Sequence, residues 1–339
     1  MRIVGGKHRS RVLKEFKDIG VRPTADRTRE SLFNMLSNKT EGAVFLDLFA
    51  GTGAVGLEAI SRGAKSVTFI DNSIDSLNVV KENLSTLKET AEVKRFDSLE
   101  FLKSTDKRFD IIFIDPPYKT DLGKRALKII AERKILNDDG IAVFEDEGEF
   151  HDTVDGLFRY DERKYGRARL SFFKNKKGSA VFAGTFDPIT LGHYDMIKRA
   201  LEEFEKVYVV LMVNPNKTPF FSKEERLSFM KTAFKNVEGV IVDSHDGYAV
   251  DYLKKVGTPY YVRGIRSDAD LIYEKKNEEL SLTIYPELKT VYYKAPKTDR
   301  LVSSTAVRTA IENGQDYKKM LPEGVYQEVV KALSERKLP

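Results

Sequence analysis

The sequence predicts an α/β fold organised as two domains in series. Three observations lead to this prediction. The chain has 339 residues, which is too long for one ordinary core. Short apolar runs alternate with helical stretches in both halves, the pattern of parallel strands joined by helices. A glycine-containing segment that leads from a strand into a helix occurs twice, once after Val44 and again after Ala180.

The first half, taken in order, contains four apolar runs typical of buried strands. They lie at 44–49, 66–70, 111–114 and 141–144. Helical stretches accompany them at 28–37, 54–62, 73–87, 98–104 and 121–135. Two further runs, 157–160 and 168–173, flank a charged turn and predict a closing hairpin. We therefore expect a first domain over residues 1–175.

The second half begins after a short basic segment that ends in Gly178 and Ser179. Such a composition is typical of a linker, and we assign the linker to residues 176–179. A second domain is then expected over 180–339. Its predicted strands lie at 180–183, 207–213, 239–243, 259–262 and 289–293. Its predicted helices lie at 192–204, 223–235, 247–255, 268–282, 304–312 and 323–335.

The composition excludes several classes of protein. The absence of cysteine excludes disulfides and thiolate metal sites. No apolar run approaches the ~18 residues of a membrane helix, and the N-terminus has no apolar stretch of the signal-peptide type. These features are typical of a cytoplasmic protein without a membrane partner.

The net charge of +5 is modest, but the first thirty residues alone carry nine Lys and Arg against four acids. This excess predicts either a solvated charged face or an arm that binds nucleic-acid phosphates.

The segment 47–56, DLFAGTGAVG, follows a predicted strand and opens a helix. Its glycines allow a tight turn and a close approach of the backbone to a ligand. Asp71 ends the next strand, where a carboxylate can accept hydrogen bonds from ribose hydroxyls. The pattern alone fits NAD, FAD or S-adenosylmethionine.

The sequence DPPY at 115–118 ends another apolar strand and indicates which chemistry the glycine loop serves. Hydride transfer has no use for it, whereas a planar exocyclic amine does. The Asp115 carboxylate and the Pro116 carbonyl can accept the two amine protons and favour a more pyramidal nitrogen. Tyr118 can stack on a base that has been unstacked from its neighbours, and Pro116 and Pro117 hold the loop rigid.

Residues 1–175 resemble the small-subunit ribosomal RNA guanine-N2 methyltransferase family, which modifies one guanine of 16S rRNA. The resemblance is carried by GGKHRSR at 5–11, RPTADRTRESLFN at 22–34, the glycine loop, DPPY and Lys164-Tyr-Gly. It implies a Rossmann-like methyltransferase domain whose substrate is 16S rRNA or a small-subunit precursor. It also implies contacts to S-adenosylmethionine from Asp47, Gly51, Gly53, Asp71 and Asp97. The implied RNA contacts come from Arg9, Arg11, Arg22, Arg27 and Arg29.

The second glycine-containing segment, 184–193, reads GTFDPITLGH. Amide groups at the start of the following helix favour phosphate, and Thr185 and His193 can donate to an α-phosphate as it becomes five-coordinate. Further strand ends supply Lys217, Arg263 and Arg266, although a lysine such as Lys217 is also common on plain surfaces. Ser303 to Thr305 precede a helix, either as an ordinary N-cap or as phosphate contacts.

Residues 179–332 resemble phosphopantetheine adenylyltransferase, a Rossmann-like nucleotidyltransferase family. The resemblance implies that 4′-phosphopantetheine attacks the α-phosphate of ATP, with Mg²⁺ on the phosphates, to give dephospho-CoA and pyrophosphate. Implied contacts to phosphopantetheine come from Thr185, Lys217, Ala249 and Arg263. Implied contacts to ATP come from Thr185, Phe186, His193, Gly264, Ile265, Arg266, Glu274, Asp299, Arg300, Leu301, Val302, Ser303, Ser304 and Thr305. The resemblance also implies a homo-oligomer, a hexamer, formed through this domain.

The sequence therefore predicts a bifunctional enzyme in which two separate sites share a polypeptide. Two alternatives remain. One is a different specificity, such as an adenine-N6 methyltransferase or a nucleotidyltransferase for another acceptor. The other is an adenylyltransferase that carries a catalytically silent, RNA-binding methyltransferase-like domain.

Overall fold

A computed structural model describes residues 1–15, 26–148, 153–213, 218–294 and 302–336. The chain divides into two compact units, Met1–Lys176 and Lys177–Pro339. Each unit is an α/β domain, which confirms the predicted fold class. Five of the predicted site residues lie outside the described residues: Arg22, Lys217, Asp299, Arg300 and Leu301.

The first unit is built on a mixed sheet. Its described strands are β1 (Val44–Leu48), β2 (Ser66–Asp71), β3 (Glu92–Arg95), β4 (Phe109–Ile114), β5 (Leu136–Asp146), β6 (Leu157–Tyr165) and β7 (Ala168–Asn175). Its described helices are α1 (Asp26–Leu36), α2 (Ala54–Ser61), α3 (Ile74–Leu87), α4 (Ser98–Ser104) and α5 (Leu122–Glu132). The strand order is β3-β2-β1-β4-β5-β7-β6, and only the β5–β7 and β6–β7 pairs in it are antiparallel.

The central strands of this sheet are mostly apolar because both of their faces are covered; Asp47 of β1 and Asp110 of β4 are the charged exceptions. Phe45 of β1 belongs to the buried cluster on one face, and the adjacent Leu46 belongs to the cluster on the other. Phe113 and Ile114 of β4 divide in the same way. Alternate side chains of a strand point to opposite faces, so a central strand of a parallel sheet becomes a continuous apolar run.

Residues 4–8 pack against the C-terminal end of α2. The backbone N–H of Lys7 donates to the carbonyl of Ser61 at 2.8 Å, and the Ser61 hydroxyl donates to the carbonyl of Gly5 at 2.6 Å. A Cβ on Gly6, whose φ is +74°, would lie 1.9 Å from the Ser61 carbonyl oxygen. The two glycines of the GGKH segment therefore allow this close backbone approach.

The second unit is built on a five-stranded parallel sheet. Its described strands are β8 (Lys177–Gly184), β9 (Phe204–Val213), β10 (Val240–Asp246), β11 (Tyr260–Ile265) and β12 (Lys289–Lys294), in the order β10-β9-β8-β11-β12. Its described helices are α6 (Leu191–Glu203), α7 (Lys223–Ala233), α8 (Ala249–Val256), α9 (Asp268–Ile284), α10 (Ser304–Glu312) and α11 (Val325–Arg336).

Strand β8 begins three residues before the predicted strand, so Lys177, Gly178 and Ser179 do not form a free segment. Lys177 pairs with Phe204 of β9, and Ser179 pairs with Lys206. Lys176, the last residue of the first unit, donates its backbone N–H to the Gly156 carbonyl of that same unit at 2.8 Å. Lys177, Gly178 and Ser179 have the composition of a linker, but backbone pairing with β9 makes them the first residues of β8.

Within the described ranges, no helix has both the length and the apolar composition needed to cross a membrane. The same ranges contain no cluster of three or more histidine and acidic side chains arranged to hold a metal ion.

Candidate active sites

The first candidate site is a cavity of about 490 Å³ at the carboxyl ends of β1, β2 and β4. This edge of a parallel sheet is where ligands bind in open α/β folds. Predicted residues that line it are Asp47, Gly51, Asp71, Asp97, Asp115, Pro116, Pro117 and Tyr118. Gly53 is not among the lining residues.

Backbone geometry explains the glycine loop. Gly51 and Gly53 have φ of +52° and +78°, a conformation that side chains disfavour. Gly53 is the N-cap of α2, and a Cβ there would lie 2.9 Å from a methyl group of Val80. The Asp71 carboxylate stabilises the turn, because its Oδ2 accepts from the Gly51 N–H at 2.8 Å and its Oδ1 from the Ser73 N–H at 2.8 Å.

Two other carboxylates of the cavity are also anchored by backbone amides. Oδ2 of Asp47 accepts from the Gly56 N–H at 2.8 Å. Oδ1 of Asp97 accepts from the N–H groups of Leu99 and Glu100, both at 3.0 Å, and caps α4. The side chains are thereby held in place at the cavity wall.

The cavity has an acidic wall. The pKa of Asp47 is raised to about 7, chiefly by burial; the Gly56 N–H opposes this shift and the charge of the nearby Asp71 adds to it. Burial raises the pKa of Asp115 well above its usual range, and the charges of Glu145 and Asp47 add to the effect. Glu145 reaches this group from β5, where Phe144 pairs with Ile114 of β4. Such a wall favours a cationic ligand.

The DPPY segment begins directly after β4, and its last two residues, Pro117 and Tyr118, are exposed while Pro116 is buried. The Tyr118 side chain is 38% exposed beside the cavity, so its ring is accessible to an incoming planar group. Sequence reasoning missed several small or apolar lining residues, for which a single sequence carries no signal: Phe49, Asn72, Ser73, Ser76, Ser98, Phe113 and Leu122.

The arginines predicted to bind RNA divide into two groups. Arg9, Arg11 and Arg27 are exposed. Arg29 is only 1% exposed, and its Nη2 donates to the Arg2 carbonyl at 2.6 Å and to Asp26 Oδ1 at 2.7 Å. The prediction for Arg29 is therefore wrong, because a buried guanidinium that joins α1 to the N-terminal segment cannot reach an RNA phosphate.

The second candidate site is a cavity of about 520 Å³ at the carboxyl ends of β8 and β11. Predicted residues that line it are Thr185, Phe186, His193, Arg263, Gly264, Arg266 and Glu274. The remaining described predictions, Ala249, Ile265, Val302, Ser303, Ser304 and Thr305, are not among its lining residues.

The His193 side chain has a defined tautomer. Its Nδ1 accepts from the Thr190 N–H at 3.2 Å, and the Thr190 hydroxyl lies 3.0 Å from the same nitrogen. Burial, together with the charge of Arg266, lowers the pKa of His193 to about 4. The ring is consequently neutral at pH 7, and Nε2 carries the proton that can be donated to a ligand.

Arg263 and Glu274 form a bidentate ion pair at the cavity wall. Nε of Arg263 donates to Oε2 of Glu274 at 2.8 Å, and Nη2 donates to Oε1 at 2.5 Å. Nη1 also donates to the Ala183 carbonyl at 3.2 Å. Paired in this way, the guanidinium is held in one orientation at the end of β11.

The hydroxyls before α10 are engaged within the protein. Ser303 Oγ accepts from the Ala306 N–H at 3.0 Å, which is an ordinary N-cap. Ser304 Oγ donates to the Pro188 carbonyl at 2.8 Å. These contacts join α10 to the 184–193 loop.

Several lining residues of the second cavity were not predicted. They are Phe182, Met196, Met212, Tyr261, Asp270 and Tyr273. The apolar members resemble core residues in sequence. Gly264 shows how tightly they pack, because a Cβ there would lie 2.0 Å from the Met196 sulfur.

The folds and cavities define two enzyme domains on one chain, a methyltransferase followed by a nucleotidyltransferase. Comparison with known families divides the chain at the same place. The family described as "Conserved hypothetical protein 95" matches residues 1–174, and the family described as "Cytidylyltransferase-like" matches residues 181–310.

Individual relatives are each similar to one part of the chain. Ribosomal RNA small subunit methyltransferase D of Haemophilus influenzae is 40% identical over 152 residues, which cover 43% of this chain and 79% of that protein. Phosphopantetheine adenylyltransferase of Thermotoga neapolitana is 42% identical over 157 residues, 46% of this chain and 95% of that protein. The Campylobacter fetus enzyme of the same name is 38% identical over 151 residues, 44% of this chain and 95% of that protein.

The chain therefore belongs to the conserved hypothetical protein 95 family in its first half and to the phosphopantetheine adenylyltransferase family in its second half. Both predicted resemblances are confirmed at this level.

Proposed function

We propose that the first unit transfers a methyl group from S-adenosylmethionine to the exocyclic amine of a guanine in 16S rRNA. One observation carries this proposal: the glycine loop and the DPPY segment, which begins 59 residues after Gly56, line one cavity. A cavity of about 490 Å³ with an acidic wall fits a cosubstrate that carries a sulfonium and an ammonium group. Asp47 would hold the cationic amino-acid part, and Asp71 the ribose.

The acceptor amine needs help because its lone pair is delocalised into the base. The Asp115 carboxyl and the Pro116 carbonyl lie at one edge of the cavity and can accept its protons, which directs the lone pair towards the methyl donor. S-adenosylmethionine supplies the electrophilic methyl group. As the N–C bond forms, the C–S bond breaks, and the nitrogen loses a proton, which the ionised form of Asp115 accepts. The accessible ring of Tyr118 can stack on the base.

The exposed arginines of the N-terminal segment and α1 support an RNA substrate, either 16S rRNA or a small-subunit precursor. Arg9, Arg11 and Arg27 can each bind a phosphate without contacting a base. Mapping the modified nucleotide by mass spectrometry separates guanine-N2 from adenine-N6 methylation.

We further propose that the second unit transfers the adenylyl group of ATP to 4′-phosphopantetheine and forms dephospho-CoA and pyrophosphate. The observation that carries this proposal is the convergence of Thr185, His193, Arg263 and Arg266 on one cavity. A phosphate oxygen of phosphopantetheine attacks the α-phosphorus, and the bond to the bridging oxygen of pyrophosphate breaks. Donors aimed at the α-phosphate stabilise the charge that develops there.

The described geometry supports separate roles for these residues. His193 donates from Nε2 as a neutral ring, so it supplies a hydrogen bond rather than a charge. Arg263, fixed by Glu274, presents a guanidinium to the phosphate of phosphopantetheine. Mg²⁺ would enter with the ATP phosphates, because the described residues offer it no cluster of acidic side chains. An assay with several phosphorylated acceptors tests the specificity: phosphopantetheine should react, and nicotinate mononucleotide should not.

The second unit also supports a homo-oligomer, and we propose the predicted hexamer. Helix α9 runs for 17 residues without one buried side chain, and it exposes Ile272, Leu280 and Ile284. An unburied apolar set of this kind is typical of a subunit interface. We assign both reactions to the cytoplasm, and light scattering of the full chain tests the oligomer.

A silent first unit is the alternative, in which it only binds RNA. Titration calorimetry with S-adenosylmethionine distinguishes the two. If the first unit is an active methyltransferase, the wild-type chain should bind S-adenosylmethionine and Asp47→Ala should weaken that binding. If the unit is silent, the wild-type chain should give no heat of binding.

A further inference from the structure

The loop between β8 and α6 carries Thr185. Side chains of other helices donate hydrogen bonds to the backbone carbonyls of this loop. Arg226 Nη1 donates to the Thr185 carbonyl at 2.9 Å. Arg308 Nη1 donates to the Asp187 carbonyl at 2.6 Å, and Ser304 Oγ donates to the Pro188 carbonyl at 2.8 Å. Carbonyls at three positions of this short loop are thus bonded to side chains of α7 and α10.

Arg226 is buried, whereas Ser304 and Arg308 are only partly buried. It lies on the first turn of α7, is 4% exposed, and is not among the residues that line the second cavity. Its Nε donates to the Ser222 carbonyl at 3.3 Å, so one planar guanidinium joins the start of α7 to the Thr185 carbonyl. Burying a guanidinium is costly unless its donors are well used.

Asp187 holds the same loop to the segment that leads into α7. Its two carboxylate oxygens accept from the backbone N–H groups of Phe220 and Phe221, at 2.8 and 2.9 Å. Between Thr185 and Asp187, Phe186 adopts a φ of +41°, a left-handed conformation that persists only where its surroundings impose it. The Arg226 contact to Thr185 and the Asp187 contacts to Phe220 and Phe221 therefore lie on either side of this strained residue.

The consequence of these contacts is visible in the exposure of the loop. Thr185 is exposed at the cavity, whereas residues 186–190 are buried. An anchored carbonyl fixes the orientation of the peptide that follows Thr185 and thereby restricts the directions in which the Thr185 side chain can point.

We propose that Arg226 is a positioning residue for adenylyl transfer, which it supports by fixing Thr185 through its carbonyl so that the Thr185 donors face the phosphates. This inference rests on the adenylyl transfer proposed above. Arg226 itself touches no substrate. Its effect belongs to the transition state, because reactions governed by positioning lose rate when a donor shifts by even about 1 Å.

The test compares Arg226→Lys and Arg226→Gln in the full-length chain. Steady-state kcat and KM are measured for ATP and phosphopantetheine, together with the folded fraction by circular dichroism. Arg336→Gln is the matched control, since Arg336 Nη1 donates to the Phe220 carbonyl at 2.7 Å but does not contact Thr185. We expect Arg226→Gln to lower kcat per folded molecule at least about tenfold while the KM for ATP changes less than about threefold. Arg226→Lys retains one donor and should recover part of the loss.

Each other outcome overturns the inference. A kcat within about twofold of wild type in Arg226→Gln means that the Thr185 carbonyl needs no anchor. A loss that follows only the folded fraction, or failure of both variants to fold at 25 °C, assigns Arg226 to stability alone. If the wild-type chain and Arg336→Gln make no dephospho-CoA, the proposed adenylyl transfer itself fails, and the inference fails with it.

Discussion

Nδ1 of His193 accepts a hydrogen bond from the backbone N–H of Thr190, 3.2 Å away, and this contact leaves the proton of the neutral ring on Nε2. The residue therefore acts as a hydrogen-bond donor of fixed orientation. Its pKa is lowered to about 4 by burial and by Arg266, so the neutral form exists throughout the range above that pH.

The first prediction concerns the pH dependence of adenylyl transfer. The profile of kcat/KM for ATP reports ionisations of the free enzyme and free substrate, so the His193 contribution should appear only as the pH falls towards about 4 and not near pH 6.5. His193→Gln should lower kcat about 10²-fold or more. His245→Gln is the control, since that ring packs on Tyr252 and is not among the residues lining the cavity. A step near pH 6.5 that disappears in His193→Gln would contradict the assigned tautomer and charge.

The second prediction concerns the pH dependence of S-adenosylmethionine binding. A cationic ligand prefers the ionised form of Asp47, whose pKa in the free protein is raised to about 7. Affinity should therefore rise with pH below about 7, at most about tenfold per pH unit for this one proton. Asp47→Asn should lower the affinity for S-adenosylmethionine. It should also reduce the slope of log affinity against pH by about one proton, as measured by titration calorimetry.

Asp138→Asn is the control for that experiment, because Asp138 is an exposed carboxylate that is not among the cavity-lining residues. An unchanged slope in Asp47→Asn would mean that Asp47 is already ionised in the free protein, contrary to the effect of its burial.

The third prediction separates the exposed arginines from Arg29 in RNA binding. Arg9→Gln and Arg11→Gln should each reduce the slope of log affinity against log salt by about one, because each removes one phosphate contact. Arg29→Gln should leave the slope unchanged and should lower stability by about 1–3 kcal/mol, since it removes buried hydrogen bonds. If a folded Arg29→Gln protein shows a smaller slope of log affinity against log salt, Arg29 binds an RNA phosphate and its purely structural role is wrong.

The fourth prediction tests the packing of the N-terminal segment on α2. Gly6 and Gly42 both have φ of +74°, but a Cβ on Gly42 would meet no atom within 4 Å. Gly42→Ala should therefore cost only the backbone strain, about 1 kcal/mol. Gly6→Ala adds the clash with the Ser61 carbonyl and should cost about 1–3 kcal/mol more in denaturant unfolding of the first unit. Equal effects of the two substitutions would show that the segment is not docked.

Much of the fold could be predicted because apolar strands and glycine turns carry strong local signals. Every predicted strand overlaps a strand of the structure. Strand β3 escaped prediction because an edge strand such as Glu92–Arg95 needs no apolar run. The polar start of β8 was misjudged for a related reason: its pairing with β9 is a long-range contact that composition does not report.

Predicted site residues that follow a strand lie at a cavity, whereas residues held by tertiary contacts could not be placed from the sequence. Asp47, Asp115, Thr185 and His193 all lie at their expected cavities. Arg29 and Arg226 are arginines whose burial depends on distant partners, Arg2 and Thr185 respectively. No local pattern distinguishes a buried arginine from an exposed one.

The central claim is that one chain holds two independent active sites. It is tested most directly by assaying both reactions in the same purified preparations of wild type, His193→Ala and Asp115→Asn. We predict that wild type forms dephospho-CoA and methylates small-subunit rRNA, that His193→Ala loses only the first activity, and that Asp115→Asn loses only the second. Loss of both activities in either folded variant, or absence of one activity from wild type, would contradict the account.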